Sequence, residues 1–229
     1  MGTFEPLKWD QVGQKTYETG VKNCALYLQH TDGSYPKGVA WNGITAISES
    51  PSGAETTKLY ADDTVYANLV SAEEFGATIE AYTYPDEFAE CDESAEITDG
   101  VTIGQQARKT FGLAYKTTVG NDTESNAYGY KLHIIYGCLA KPSEKSYSTI
   151  NDSPEAITFS WEVSTTPVAV SGLKPTASIT IDSKKADPVK LAALEKILFG
   201  STEADARLPL PDEIKTTMSG ASVVEEGQG

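Results

Sequence analysis

The chain has 229 residues, 39% of them hydrophobic, enough for one generous domain with a real core or for two small ones. Its 33 acidic and 18 basic residues give a formal charge of −15, which argues against tight nucleic-acid binding, since holding phosphate requires concentrated Lys and Arg. No apolar run approaches a membrane span and no secretory leader is expected from the opening residues; Cys24, Cys91 and Cys138, widely spaced and odd in number, fit free thiols better than a disulfide frame or a zinc site.

Residues 1–22 scatter Phe4, Leu7, Trp9 and Tyr17 among Gly, Thr and charged residues and read as an extended arm, with a neighbouring subunit as one candidate for what its aromatics meet. A short strand at 23–29 is closed by Thr31-Asp32-Gly33-Ser34, and another at 43–50 runs into a Ser/Pro/Gly turn. The stretch 54–85 then holds two strand-like runs around Asp62-Asp63, whose short side chains suit a turn, so a hairpin is expected. Leu59, Val65, Ala67 and Leu69 share its expected inner face, while Tyr60 and Tyr66 fall outside, where they suggest a surface that meets something. In the run that follows, Phe75, Ala77, Ile79 and Ala81 point one way and Thr78, Glu80, Tyr82 and Tyr84 the other, the period of a strand with one buried face.

The window 86–96 carries six carboxylates but lacks the spaced acidic loop of a calcium site, so a solvated turn or one-turn helix is expected. Three strands with clearer alternation come next. Phe111, Leu113 and Tyr115 form one face; Tyr128, Tyr130, Leu132, Ile134 and Tyr136 another; and Ile157, Phe159, Trp161 and Val163 a third, opposite Thr158, Ser160 and Glu162. Ile179 and Ile181 mark a further strand. Many strands joined by turns without a βαβ rhythm point to an antiparallel sandwich or barrel. One helix is expected over 188–199, with Asp187 as N-cap, Pro188 at its first position, Gly200 as a left-handed C-terminal residue, and Leu191, Leu194 and Leu198 as an apolar stripe on a sheet. Residues 208–211 are expected to be extended and 216–229 polar and mobile.

Chemistry is sparse. His30 and His133 are the two histidines, neither in a nucleophile or metal pattern, and His133 reads as a surface residue beside Lys131. No nucleophile elbow, phosphate-binding loop, zinc helix or dinucleotide fingerprint occurs. An interaction or structural role therefore ranks ahead of an enzyme. A rival class is a ligand-binding module using Tyr82, Tyr84 and Trp41 as stacking platforms.

The segment DPVKLAALEKILFG followed by ARLPLPDE resembles the C-terminal helix region of siphophage major tail proteins, the subunits of the tail tube. The hairpin KLYADDTVYANLV and the run EFGATIEAYTYPDEF are similar to the same family. The resemblance, which extends from roughly Gly38 to Ile214, implies an antiparallel β-sandwich flanked by one helix near the C-terminus; with the arm at 1–22 and a flexible tail at 215–229, that domain is expected over residues 23–214. It also implies hexameric rings stacked into a tube, no enzyme activity and no cofactor. The expected partners are the chain itself, the tape measure and other tail proteins, and DNA that passes through without tight binding. The expected location is the virion tail after synthesis in the host cytoplasm. On this reading Leu59, Tyr60, Asp62, Asp63, Val65 and Tyr66 serve self-assembly, and Thr78, Glu80, Thr158, Ser160 and Glu162 are candidates to line the lumen. Related readings are a single-ring terminator or completion protein.

Overall fold

A computed structural model describes residues 5–150, 152 and 155–220; Phe4 and the 221–229 part of the expected tail lie outside these. The chain runs through β1 (Thr16–Leu28), β2 (Gly38–Trp41), β3 (Ile44–Glu49), β4 (Ser52–Gly53), β5 (Thr56–Ala61), β6 (Thr64–Val70), β7 (Glu73–Glu74) and β8 (Gly76–Ala81). After a 3-10 turn at Asp86–Glu90 come β9 (Ala95–Thr98), β10 (Val101–Ile103), β11 (Phe111–Asn121), β12 (Ser125–Ala140), β13 (Phe159–Thr165) and β14 (Ser178–Asp182). Helices α1 (Pro188–Phe199) and α2 (Pro211–Ser219) close it. The fold is thus mainly β and antiparallel, with the expected helix near the C-terminus and a second one after it.

Eight strands form one sheet in the order β2-β1-β11-β12-β13-β8-β3, with β14 beside the middle of β12, from Lys131 to Ile135. The sheet folds over on itself, because its two ends feed one core. Leu26, Phe111, Leu113, Tyr115 and Ile135 from β1, β11 and β12 pack with Ala77, Ile79, Trp161 and Val163 from β8 and β13. Trp41, Phe88 and Trp161 cluster at its centre, Trp161 edge-on to both others and Trp41 tilted against Phe88, with ring centroids 4.4 to 5.7 Å apart. The alternating residues of the same strands face outward into a second core. There Tyr27, Leu132, Ile134 and Tyr136 meet Leu191, Leu194 and Leu198 of α1 and Ile214 of α2. All three cysteines are free and buried, and burial pushes the thiols of Cys24 and Cys91 up to about 12.

The fold-over depends on a fork at Gly137. Up to Tyr136, whose N–H donates to the Ala177 carbonyl, β12 pairs with β14; from Cys138 onward it pairs with β13. Gly137 sits between at φ +60°, its carbonyl accepting from Thr166 N–H and its own N–H donating to Tyr35 Oη at 3.0 Å. A Cβ there would lie 2.3 Å from the Thr166 carbonyl oxygen, so only glycine lets the backbones approach this closely.

Helix α1 starts as its sequence demands. The Asp187 carboxylate accepts from Val189 N–H at 2.9 Å and Lys190 N–H at 3.2 Å, and the three leucines are buried. Gly200 has positive φ but extended ψ (79°, 174°), so it ends the helix without the left-handed geometry expected of it. Two further expectations need correction. Residues 16–22 are not a free arm: they are the first half of β1, paired with β11 from Thr16 onward. Residues 215–219 are not tail: they complete α2, which Pro211 opens, Asp212 and Glu213 favour electrostatically and Gly220 caps in the left-handed region.

Candidate assembly surface

Strands β5 and β6 form the expected hairpin. Asp62 and Asp63 both adopt positive φ (49° and 60°), the two-residue turn whose twist matches the flanking strands. Among the described residues their ribbon hydrogen-bonds to no other strand. It continues, through Ser52↔Glu74 and Gly53↔Glu73 of β4 and β7, the pairing of β3 with β8 at the sheet edge. From Ser52 to Ala61 this makes a two-stranded projection roughly 30 Å long at about 3.3 Å per residue.

The ribbon has no buried inner face. Leu59, Val65 and Leu69 are exposed, as are Tyr60 (68%), Tyr66 (76%) and Val70 (65%). The register also differs from simple alternation. Leu59 lies opposite Ala67, but a bulge leaves Tyr66 unpaired and sets Val65 opposite Tyr60, so Val65 leaves the Leu59 row for the tyrosine row. Of the residues expected to serve assembly, Asp62 and Asp63 form the tip and Leu59, Tyr60, Val65 and Tyr66 the apolar flanks just behind it. An isolated two-stranded ribbon is marginal in water, and large apolar side chains gathered on one projection make it a candidate contact surface.

The polar candidates come together on the sheet. Register places Thr78 opposite Glu162 and Glu80 opposite Ser160, and Ser48 of β3 extends the row beside Thr78. Ser160 and Glu162 are exposed, Thr78 and Glu80 half-buried, while Ala77, Ile79, Trp161 and Val163 fill the core behind them. Thr158, also exposed, falls just before β13, and Ile157 next to it is exposed instead of inward-facing. Lys141 pairs with Glu162 on this face.

The stacking platform does not exist as a unit. Trp41 is buried and donates its Nε1–H to the Thr83 carbonyl at 2.8 Å, and Tyr84 turns inward against Phe88, Phe159 and Trp161. Only Tyr82 of that trio is exposed. The acidic window forms the expected single turn, but Phe88 and Cys91 anchor it in the core and Asp92 is buried against Lys145 at 2.6 Å. Among the described residues no group of three or more His, Cys, Asp or Glu is placed to hold a metal ion.

Two apolar features accompany the ribbon. Leu7, Trp9 and Val12 are 73 to 82% exposed on the segment preceding β1. That segment is fixed at Gly13, whose N–H donates to the Asp122 carboxylate at 3.0 Å and whose carbonyl accepts from Asn121 Nδ2 at 3.1 Å. The hairpin of β9 and β10 exposes Ile97, Val101 and Ile103 around its Asp99-Gly100 turn.

His133 is not a surface residue. Its side chain is 12% exposed and stacks flat on Tyr115, centroids 4.8 Å apart. Nε2 lies 2.9 Å from Thr117 Oγ1 and 3.4 Å from Glu18 of β1; Nδ1 lies 3.4 Å from Thr180 Oγ1 and 3.5 Å from Glu49 of β3. Burial pushes the Glu18 carboxyl up, but hydrogen bonds from Lys131 and Thr117 and the charges of Lys131 and His133 outweigh it and hold it below the usual carboxylate range. Hydrogen bonding to His133 lowers Glu49 as well, against burial, with the Tyr115 hydroxyl donating at 2.7 Å. This cluster ties β3 to β1 and β12 across the mouth of the folded sheet. Sequence alternation assigned His133 to a polar outer face, but both faces of β12 are covered around His133.

No helix among the described residues is long and apolar enough to cross a membrane. Neither a scan against protein-family models nor a search of curated protein sequences gives a match to this chain.

Proposed function

We propose that this chain is a structural subunit that assembles with copies of itself into stacked, hexameric rings forming a bacteriophage tail tube, an acidic conduit for DNA. One observation carries the reading: a projecting ribbon with Leu59, Tyr60, Val65, Tyr66, Leu69 and Val70 exposed along it, which nothing among the described residues covers. Such a ribbon is stabilised by docking on another molecule, and the resemblance of its sequence to tail-tube subunits supplies the kind of partner. The ribbon prolongs β3, which among the described strands is hydrogen-bonded to β8 alone, and a strand paired on one side is a place where a neighbour can add. Closing copies into a ring removes such edges by symmetry. The Thr78, Glu80, Ser160 and Glu162 face then suits a lumen, because carboxylates and hydroxyls repel or ignore phosphate and let DNA slide.

The test is negative-stain electron microscopy of the purified protein over a concentration series, beside Tyr60→Asp/Tyr66→Asp. Both tyrosines are exposed, so the double variant is expected to remain folded by circular dichroism and to form no tubes. Normal tubes from it would remove the ribbon from the interface. Rings that never stack in the wild type would favour a terminator-like role.

A further inference from the structure

A groove of about 950 Å³ opens under the root of the ribbon, at the upper end of the roughly 300–1,000 Å³ range of ligand pockets. One wall is Val70, Glu73 and Phe75; the other is Pro167, Lys174 and Pro175. We propose that this groove takes the Glu5–Val12 segment of a second copy of this chain, a contact that rests on the assembly reading only for the identity of the partner.

Chemistry and reach both point to that occupant. The segment presents Leu7, Trp9 and Val12, three large apolar side chains that its own molecule leaves exposed, and the groove offers the aliphatic, aromatic and proline surface that would cover them. The charges match: Glu73 on one wall faces a segment carrying Lys8, and Lys174 on the other faces one carrying Glu5 and Asp10. The segment of the same molecule falls short. It is fixed at Gly13 beside the β11–β12 turn, and the groove lies at Thr176, Ala177 and Ser178, where Ser178 pairs with Ile135. From Ser125 to Ile135 β12 covers about 33 Å at about 3.3 Å per residue. Fully extended at about 3.4 Å per residue, the chain from Gly13 reaches about 14 Å to Trp9 and about 27 Å to Glu5. Another copy, set alongside or above, meets no such limit.

The test uses a fluorescein-labelled peptide of residues 5–12 and the full chain carrying Leu7→Ser/Trp9→Ser, which empties the groove without touching the fold. Fluorescence anisotropy up to millimolar chain is expected to show saturable binding, weakened at least tenfold by Val70→Asp. Lys8→Glu in the peptide should weaken it several-fold, and Glu73→Lys in the chain should restore it. No saturable binding, or binding indifferent to Val70→Asp and to the charge swap, overturns the proposal. A second measurement joins the native arm to the groove through Trp9→Cys and Val70→Cys with a short bismaleimide. Covalent dimers and higher multimers support a second copy, and a cross-linked monomer overturns it. Because the peptide reports on single subunits, absent tubes with intact peptide binding refute the tube and spare this contact; tubes without peptide binding do the reverse.

Discussion

Gly137→Ala tests the fork that folds the sheet. The new methyl would stand 2.3 Å from the Thr166 carbonyl oxygen and 3.1 Å from both Thr166 N and C, all backbone atoms of the adjoining strand end. Positive φ costs a residue with a Cβ about 1–2 kcal/mol, and displacing a packed backbone adds roughly 1–3 kcal/mol. The stiffer unfolded chain offsets about 0.4–1 kcal/mol of this. The net loss is about 3 kcal/mol, which for a chain of this size lowers Tm by roughly 6–12 °C. Gly20→Ala is the control: φ is +66° but nothing lies within 4 Å of its Cβ, so only the backbone cost remains, about 1 kcal/mol or less after the same offset. Urea unfolding followed by far-UV circular dichroism and tryptophan emission measures both. Equal midpoints for the two variants would refute the argument, because they would show that the Thr166 backbone moves aside freely and the change of partner does not depend on close approach.

Asp187→Ala removes the acceptor for Val189 and Lys190 N–H and is expected to cost about 1 kcal/mol by urea unfolding, whereas Asp187→Ser should recover most of it. Glu49→Gln probes the cluster at the mouth of the sheet. Hydrogen bonding from His133 holds the folded Glu49 carboxyl below its unfolded value, so its contribution is present above the ordinary carboxylate range and is lost as pH falls through the folded pKa. The Tm difference between wild type and Glu49→Gln should therefore shrink between about pH 5 and about pH 3, near and below the usual carboxylate pKa of about 4.3; a difference that widens in acid would contradict the assignment.

Much of the fold was legible wherever one face of an element is wet. β8 and β13 alternate cleanly because Thr78, Glu80, Ser160 and Glu162 leave the core to Ala77, Ile79, Trp161 and Val163. Asp187-Pro188 announced α1 through local hydrogen bonding alone, and Asp62-Asp63 announced the ribbon through turn chemistry. Where local and tertiary demands part, the signal failed. The first half of β1 is exposed, and its alternation is interrupted by Gly20 and Asn23, both at positive φ beside register shifts, so it read as an arm. In the middle of β12 both faces are covered, which hid His133 between Glu18 and Glu49; polar residues facing each other from β1, β3 and β12 share no sequence spacing. The prolines at 209 and 211 masked α2, although Pro211 opens it. For the ribbon, sequence assumed that a row of apolar residues implies a core in the same chain, and the structure leaves that row uncovered.

The uncovered row and the charge of the whole chain oppose each other, and under the proposed tube function that opposition predicts how assembly responds to salt. Each copy carries a formal charge of −15, so like copies repel while they are still apart. The exposed surface of Leu59, Tyr60, Val65 and Tyr66 attracts only at contact, and its attraction does not depend on ionic strength in the way charge repulsion does. At about 0.01 M salt the Debye length is about 30 Å, the length of the projecting ribbon, so a docking copy feels most of the partner's charge before apolar surfaces touch. At about 1 M it is about 3 Å, and repulsion is confined to groups already in contact. The subunit concentration at which tubes appear, followed by light scattering and checked by microscopy, should therefore fall steadily as sodium chloride rises over that range. Sodium sulfate should lower it further, because excluded salts strengthen apolar burial. If added sodium chloride instead dissolves the tubes, ion pairs across the interface hold the copies together, and the apolar ribbon is not what drives them to associate.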